Sequence, residues 1–150
     1  MNSLYLLSFL LTADNAMAER CFVRGLDDSA RGNPVFKEWA QAWARRTIIQ
    51  NAIQMVQPRP RATAAVGAAS DRTVALFAEQ PAGIAEIIAL PTFDRFAFVM
   101  SVLERYSDQE CLLLLDCNRG EVIAARTRAL QQIGTSAKQS LAPSICDSRW

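Results

Sequence analysis

Apolar residues recur at helical spacing along most of this chain, and no stretch alternates as a half-buried strand would. The apolar run near the start predicts a buried helix over about 3–12. Asp14 or Asn15 can cap a second helix that ends near residue 29. Asn33 followed by Pro34 is typical of a helix N-terminus, so a third helix is predicted to run from there to about residue 56. The pattern therefore predicts an all-α protein.

The third predicted helix carries many apolar residues, and we expect them to form its buried face. They are Phe36, Trp39, Trp43, Ala44, Ile48, Ile49, Ala52, Ile53 and Val56. On this interpretation Trp39 and Trp43 belong to the core and do not stack on bases.

The composition changes after this helix, and the change suggests two helical lobes. Residues 57–70 contain two prolines, a glycine and many alanines, which is typical of a linker. Short helices are predicted over about 71–77 and 82–89, and a longer one from Thr92 or Asp94 to about 105. Its expected buried stripe is Phe96, Val99, Met100 and Leu103. We expect lobes at 1–56 and 71–133, a loose tail at 134–150, and packing of the small lobes on each other or on a partner.

Residues 106–133 are predicted to form two short helices joined by three residues. Ser107 and Glu110 have the spacing of a capping box, which predicts a helix from residue 108. The turn begins at Asp116, and the second helix has a buried stripe of Val122, Ala125, Ala129 and Ile133. Such a connection suits a DNA-binding helix-turn-helix, and it suits an ordinary helical hairpin equally well.

Composition restricts the possible functions. The 150 residues are 51% hydrophobic with a formal net charge of +1, so any binding of nucleic acid must use a local basic patch. The chain has no histidine, no nucleotide-binding glycine motif and no CxxC among its four cysteines. We therefore expect no enzyme, no cofactor and no metal site. The cysteines are expected to be small buried thiols of a cytosolic protein.

The N-terminal stretch "LYLLSFLL" leaves an alternative open. Ala16-Met17-Ala18 would fit a signal-peptide cleavage site, which would make this a secreted helical protein. The residues before the run carry no positive side chain, so we favour a buried first helix. The run is too short to span a bilayer.

A family resemblance adds to this picture. The stretch "LPTFDRFAFVMSVLERYSDQECLLLLDCNRGEVIAARTRALQQI" resembles the C-terminal helix-turn-helix domain of bacterial RNA polymerase sigma factors of the extracytoplasmic-function type. The positions on the family pattern are Leu90, Pro91, Arg95, Phe98, Glu104, Ser107, Glu110, Leu115, Gly120, Val122, Arg128 and Ala129. The segments "LYLLSFLLTADNAMAERCFVRGL" and "WAQAWARRTIIQNAIQMV" look like the family's first domain. The resemblance implies a cytoplasmic protein that binds RNA polymerase core and promoter DNA.

Several positions depart from that pattern. Asp116 replaces the turn glycine, where a left-handed conformation is usual and only Asn or Asp is a tolerable substitute. The family's T-V-K-S-R reading run is replaced by the residues from Glu121 to Ala125. Arg126 stands where a packing leucine is usual. Since Lys and Arg supply most phosphate attraction, this face is expected to bind DNA weakly.

Two hypotheses follow from the resemblance. The first is a sigma-factor-like transcription initiation protein; the second is a divergent sigma-like protein-interaction module that has lost DNA reading. A regulatory protein partner is compatible with both. The candidate DNA-binding residues are Arg119, Thr127, Arg128, Arg126, Arg46 and Asn51.

Overall fold

The computed structural model describes residues 3–32, 37–60 and 82–140, and within these ranges the regular structure is entirely helical. The elements are α1 (Ser3–Thr12), α2 (Asn15–Arg31), α3 (Lys37–Val56), α4 (Ala82–Ile88), α5 (Thr92–Phe98), a π-helix (Val99–Leu103), α6 (Asp108–Leu115) and α7 (Arg119–Ser140). The predicted all-α class is confirmed. No helix in the described ranges combines the length and the apolarity needed to cross a membrane.

Local sequence signals explain the start of the fold. The Asp14 carboxylate accepts a hydrogen bond of 2.8 Å from the backbone N–H of Met17 and so caps α2, as predicted. Gly25 lies where α2 crosses α3, and a Cβ at this position would stand 2.5 Å from Cγ1 of Ile48. A glycine inside a helix is unfavourable in isolation, but here it lets two helices approach closely.

The helices before and after the predicted linker share one hydrophobic core. Residues of α1 and α3, such as Leu11 and Ile48, belong to the same buried cluster as Phe96 of α5 and Val122 of α7. The two halves of the described chain therefore pack directly on each other.

Arg95 of α5 connects these halves through its buried guanidinium group. Its nitrogens donate to the carbonyl oxygen of Leu11 at 3.1 and 3.3 Å, and to those of Ile88 and Leu90 at 3.3 Å each. Burial lowers the pKa of Arg95 to about 10. Arg45 of α3 adds an ion pair of 2.6 Å with Glu104, just after the π-helix.

The expectation for Trp39 and Trp43 is wrong. Their side chains are 68% and 47% exposed, whereas Ile48 is fully buried. The reason is helical geometry: Ile48 follows Trp43 by five residues and so lies about 140° further round the helix. Apolar residues occupy most of the circumference of α3, and only the side centred near Ile48 meets the other helices.

Two further expectations, both for residues after the predicted linker, are wrong. Leu103, expected in the buried stripe, is 44% exposed, because the π-helix adds a residue to the turn and rotates the residues that follow. The chain beyond residue 134, expected to be a loose tail, instead continues α7 to Ser140. The helix start at Asn33-Pro34, Phe36, the helix at 71–77, most of the 57–70 linker and the end of the tail lie outside the described residues.

Candidate nucleic-acid interface

The connection into α6 has the predicted capping box. The backbone N–H of Glu110 donates to Ser107 Oγ at 3.3 Å, and the backbone N–H of Ser107 donates to Glu110 Oε2 at 2.9 Å. The Ser107 hydroxyl also donates to Glu110 Oε2 at 3.0 Å, and the two bonds from Ser107 stabilise the charged carboxylate, so the pKa of Glu110 is lowered. The pair fixes where α6 begins.

The turn after α6 is built around a left-handed residue. Asp116 has φ 51° and ψ 57°, and its backbone N–H donates to the carbonyl of Leu112. Cys117 N–H donates to the same carbonyl at 3.3 Å. The left-handed conformation expected for Asp116 is confirmed, and it turns the chain within three residues into α7.

A second capping box, which the sequence reasoning misses, starts α7. The N–H of Glu121 donates to Asn118 Oδ1 at 2.9 Å, and the N–H of Asn118 donates to Glu121 Oε2 at 2.8 Å. The signal is the N-x-x-E spacing, which is a variant of the familiar capping box. Glu121 therefore stabilises this helix end, and its carboxylate holds the position where a phosphate would otherwise be favoured.

The predicted arginines of α7 are all engaged with carboxylates of the described chain. Arg126 donates to Asp108 at 2.9 Å, and Arg119 lies 3.7 Å from the other oxygen of the same carboxylate. Arg128 donates two hydrogen bonds, of 2.7 and 3.0 Å, to the buried carboxylate of Asp94. The hydrogen bond to Asp94 raises the pKa of Arg128. These contacts reduce the positive charge available to a phosphate backbone.

Apolar side chains occupy much of the exposed surface around these ion pairs. Thr127 is exposed, and its hydroxyl donates to the carbonyl of Ile123 at 2.8 Å. Ile123 and Leu130 of α7 are 39% and 50% exposed, and Leu113 of α6 is 78% exposed. A face of this composition is unusual for a helix that reads DNA, because such helices present polar and cationic groups.

The candidates on α3 have different environments. Asn51 is only 5% exposed, and its amide nitrogen donates to Asp28 Oδ2 and to the carbonyl of Thr47, both at 3.0 Å. Both amide hydrogens are thus used, one for a contact with α2 and one within α3, which removes Asn51 from the candidate interface. Arg46 is exposed and takes no part in the ion pairs of α7.

Three of the four cysteines lie within the described ranges. Cys21 and Cys111 are buried, Cys117 is partly buried, and no cluster of metal-ligating side chains occurs in the described ranges. Desolvation raises the pKa of Cys21 and of Cys111 to about 11 each. Such thiols are poor nucleophiles at neutral pH.

Comparisons of the chain with protein-family models, with curated proteins and with solved structures found no match.

Proposed function

We propose that this chain is a sigma-factor-like transcription initiation protein that acts by binding and carries out no chemistry. It docks on RNA polymerase core in the cytoplasm, and its α6–α7 pair lies near promoter DNA as a helix-turn-helix. The observation that carries the proposal is the α6–α7 junction. Its capping box at Ser107 and its buried Val122 occur at offsets on which the resemblance rests, and Asp116 adopts a left-handed conformation at the position of the family's turn glycine.

In this proposal the protein binds DNA weakly. Arg119 is the most exposed arginine of α7, at 73% of its side chain, and is held only at 3.7 Å from Asp108. Exposed ion pairs of this kind contribute little free energy, so a phosphate can compete for Arg119. Arg128 is less available, since its bidentate contact with the buried Asp94 carboxylate is strong.

A second candidate function has its own supporting observation. The engagement of Arg119, Arg126 and Arg128 with carboxylates, together with exposed Ile123 and Leu130, favours a divergent sigma-like module that binds proteins and no longer reads DNA. In this case the helix pair is kept as a scaffold, and a regulatory protein is its partner.

Run-off transcription with purified core polymerase and a promoter library tests the first candidate. We expect the chain to co-purify with core polymerase and to support transcription from a subset of promoters. Arg119→Glu should then lower the run-off product about tenfold, because it places a carboxylate against the DNA backbone. Lys138→Glu is the matched control, since this exposed residue lies at the far end of α7, and it should change the product less than about twofold.

The outcomes separate the two candidates. If core polymerase is not retained by the chain and no promoter is transcribed, the initiation function is excluded. If polymerase or another protein is retained while duplex DNA is not shifted and Arg119→Glu has no effect, the second candidate is supported.

A further inference from the structure

The two exposed tryptophans of α3 line a groove that the helix pair does not use. The groove has a volume of about 1210 Å³ and lies between α3 and the connection that leads from the π-helix to α6. Its aromatic lining consists of Trp39, Trp43 and Tyr106. We call it the tryptophan groove.

The indole of Trp43 is held in position within this groove. A Cβ on Gly32 would lie 2.8 Å from Trp43 Nε1, so the close approach of the chain to the indole requires a residue without a side chain. A large aromatic side chain that is fixed and yet half exposed is a characteristic anchor of protein interfaces, where Trp, Tyr and Arg are enriched.

The charges around the groove favour an acidic partner. Of its two carboxylates, Glu104 is paired with Arg45 at 2.6 Å and Glu110 belongs to the capping box. Arg46 and Arg105 are exposed and form no ion pair within the described ranges. The groove thus presents an apolar floor, and its rim of three arginines and two glutamates carries an excess of one positive charge.

The size and shape of the groove suit a helix better than a small molecule. Small-molecule sites usually enclose about 300–1000 Å³, whereas this groove is larger and its tryptophans remain open to solvent. An amphipathic helix places apolar residues on one face at positions i, i+3, i+4 and i+7, with charged residues alongside. We infer that the tryptophan groove docks an acidic amphipathic helix of a partner protein. This inference does not depend on whether α7 reads DNA.

The test is a displayed library of helical segments of about 16 residues, randomised on one face and selected against the full chain. The selected segments should combine Leu, Phe or Trp on one face with Asp and Glu at its borders. A labelled segment is then titrated by fluorescence anisotropy. Trp43→Ala and Trp39→Ala should each weaken binding about 30-fold, as for hot-spot residues. Arg46→Glu should weaken it about tenfold by charge reversal.

Matched controls use exposed residues outside the groove. Leu130→Ala and Arg20→Glu alter side chains of the same character on α7 and α2, and each should change the affinity less than about twofold. The inference is overturned if the selected segments lack acidic residues, or if the groove variants and the controls respond alike. It is also overturned if an oligo-dT single strand binds the groove more tightly than any segment and depends on Trp43, since the groove would then be a nucleic-acid site.

Discussion

Replacing Gly25 by alanine should destabilise this protein, although alanine is the better helix former. Gly25 is buried in the middle of α2, where it faces Ile48 of α3. The added methyl group would stand 2.5 Å from Ile48 Cγ1, 3.1 Å from Ile48 Cα and 3.3 Å from Ile48 N. A rotamer change could move the first of these atoms, but the other two belong to the backbone of α3.

Two opposing contributions set the size of the effect. Alanine gains about 0.8–1.0 kcal/mol of helix propensity over glycine. To reach the 3.4 Å at which ordinary contact begins, however, Ile48 Cγ1 must move about 0.9 Å and Ile48 Cα about 0.3 Å, so the Ile48 side chain must leave its position in a fully buried core and α3 must shift with it. Overpacking of this kind costs about 1–3 kcal/mol, and contact with backbone atoms places it at the upper end. The net loss is expected to be about 1–2 kcal/mol, equivalent to about 2–8 °C in Tm for a chain of this size.

Thermal unfolding followed by circular dichroism measures this loss, and the chain contains its own control. Gly134 lies inside α7, and apart from the backbone of this helix no described atom lies within 4 Å of the position that a Cβ would take there, so Gly134→Ala gains propensity without a clash. Its Tm should rise by about 1–4 °C. If Gly25→Ala also raises the Tm, the close crossing of α2 and α3 is refuted.

Three other predictions concern residues that hold the fold. Asp116→Gly should stabilise the chain by about 0.5–1 kcal/mol in urea unfolding, because glycine adopts the left-handed conformation without strain; a lower urea midpoint would contradict the turn. Arg95→Met should lower the free energy of unfolding by at least about 3 kcal/mol, since three buried carbonyls lose their donor; a loss below about 1 kcal/mol would show that these carbonyls find other donors. Burial raises the pKa of Cys21 and Cys111 to about 11, so the unfolded chain ionises these thiols first as the pH rises. The free energy of unfolding should keep its full value below about pH 9 and be lower by roughly 2–3 kcal/mol at pH 10. Equal urea midpoints at pH 8 and pH 10 would rule this out.

The features that could be predicted from sequence act over a few residues. The Asp14 cap, the Ser107–Glu110 box and the left-handed Asp116 each depend on a side chain and a backbone group close together in the chain. Such signals are independent of how helices pack. The bounds of α1 and the end of α3 are also predictable, because a local apolar run and a local change in composition mark them.

The features that could not be predicted depend on contacts distant in sequence. Nothing near Trp43 indicates which side of α3 meets the other helices, because apolar residues surround most of that helix. The pairing of Asp94 with Arg128 joins residues 34 positions apart. Arg128 matches a position of the family pattern, but this pairing makes its guanidinium group less available to DNA. The Asn118–Glu121 box is local, but it is overlooked when Glu121 is compared with a family position instead of with its neighbour.

The central proposal is that the α6–α7 pair has the frame of a helix-turn-helix while carboxylates of α5 and α6 engage its arginines. Duplex DNA binding by the full chain, measured by fluorescence anisotropy across a salt series, tests this most directly. We expect weak binding whose salt dependence reflects roughly three phosphate contacts or fewer. Asp108→Asn, which releases Arg119 and Arg126, should tighten binding and steepen the dependence by about one or two contacts. Tight, sequence-selective binding by the unaltered chain, with a salt dependence of about six or more contacts, would contradict the claim.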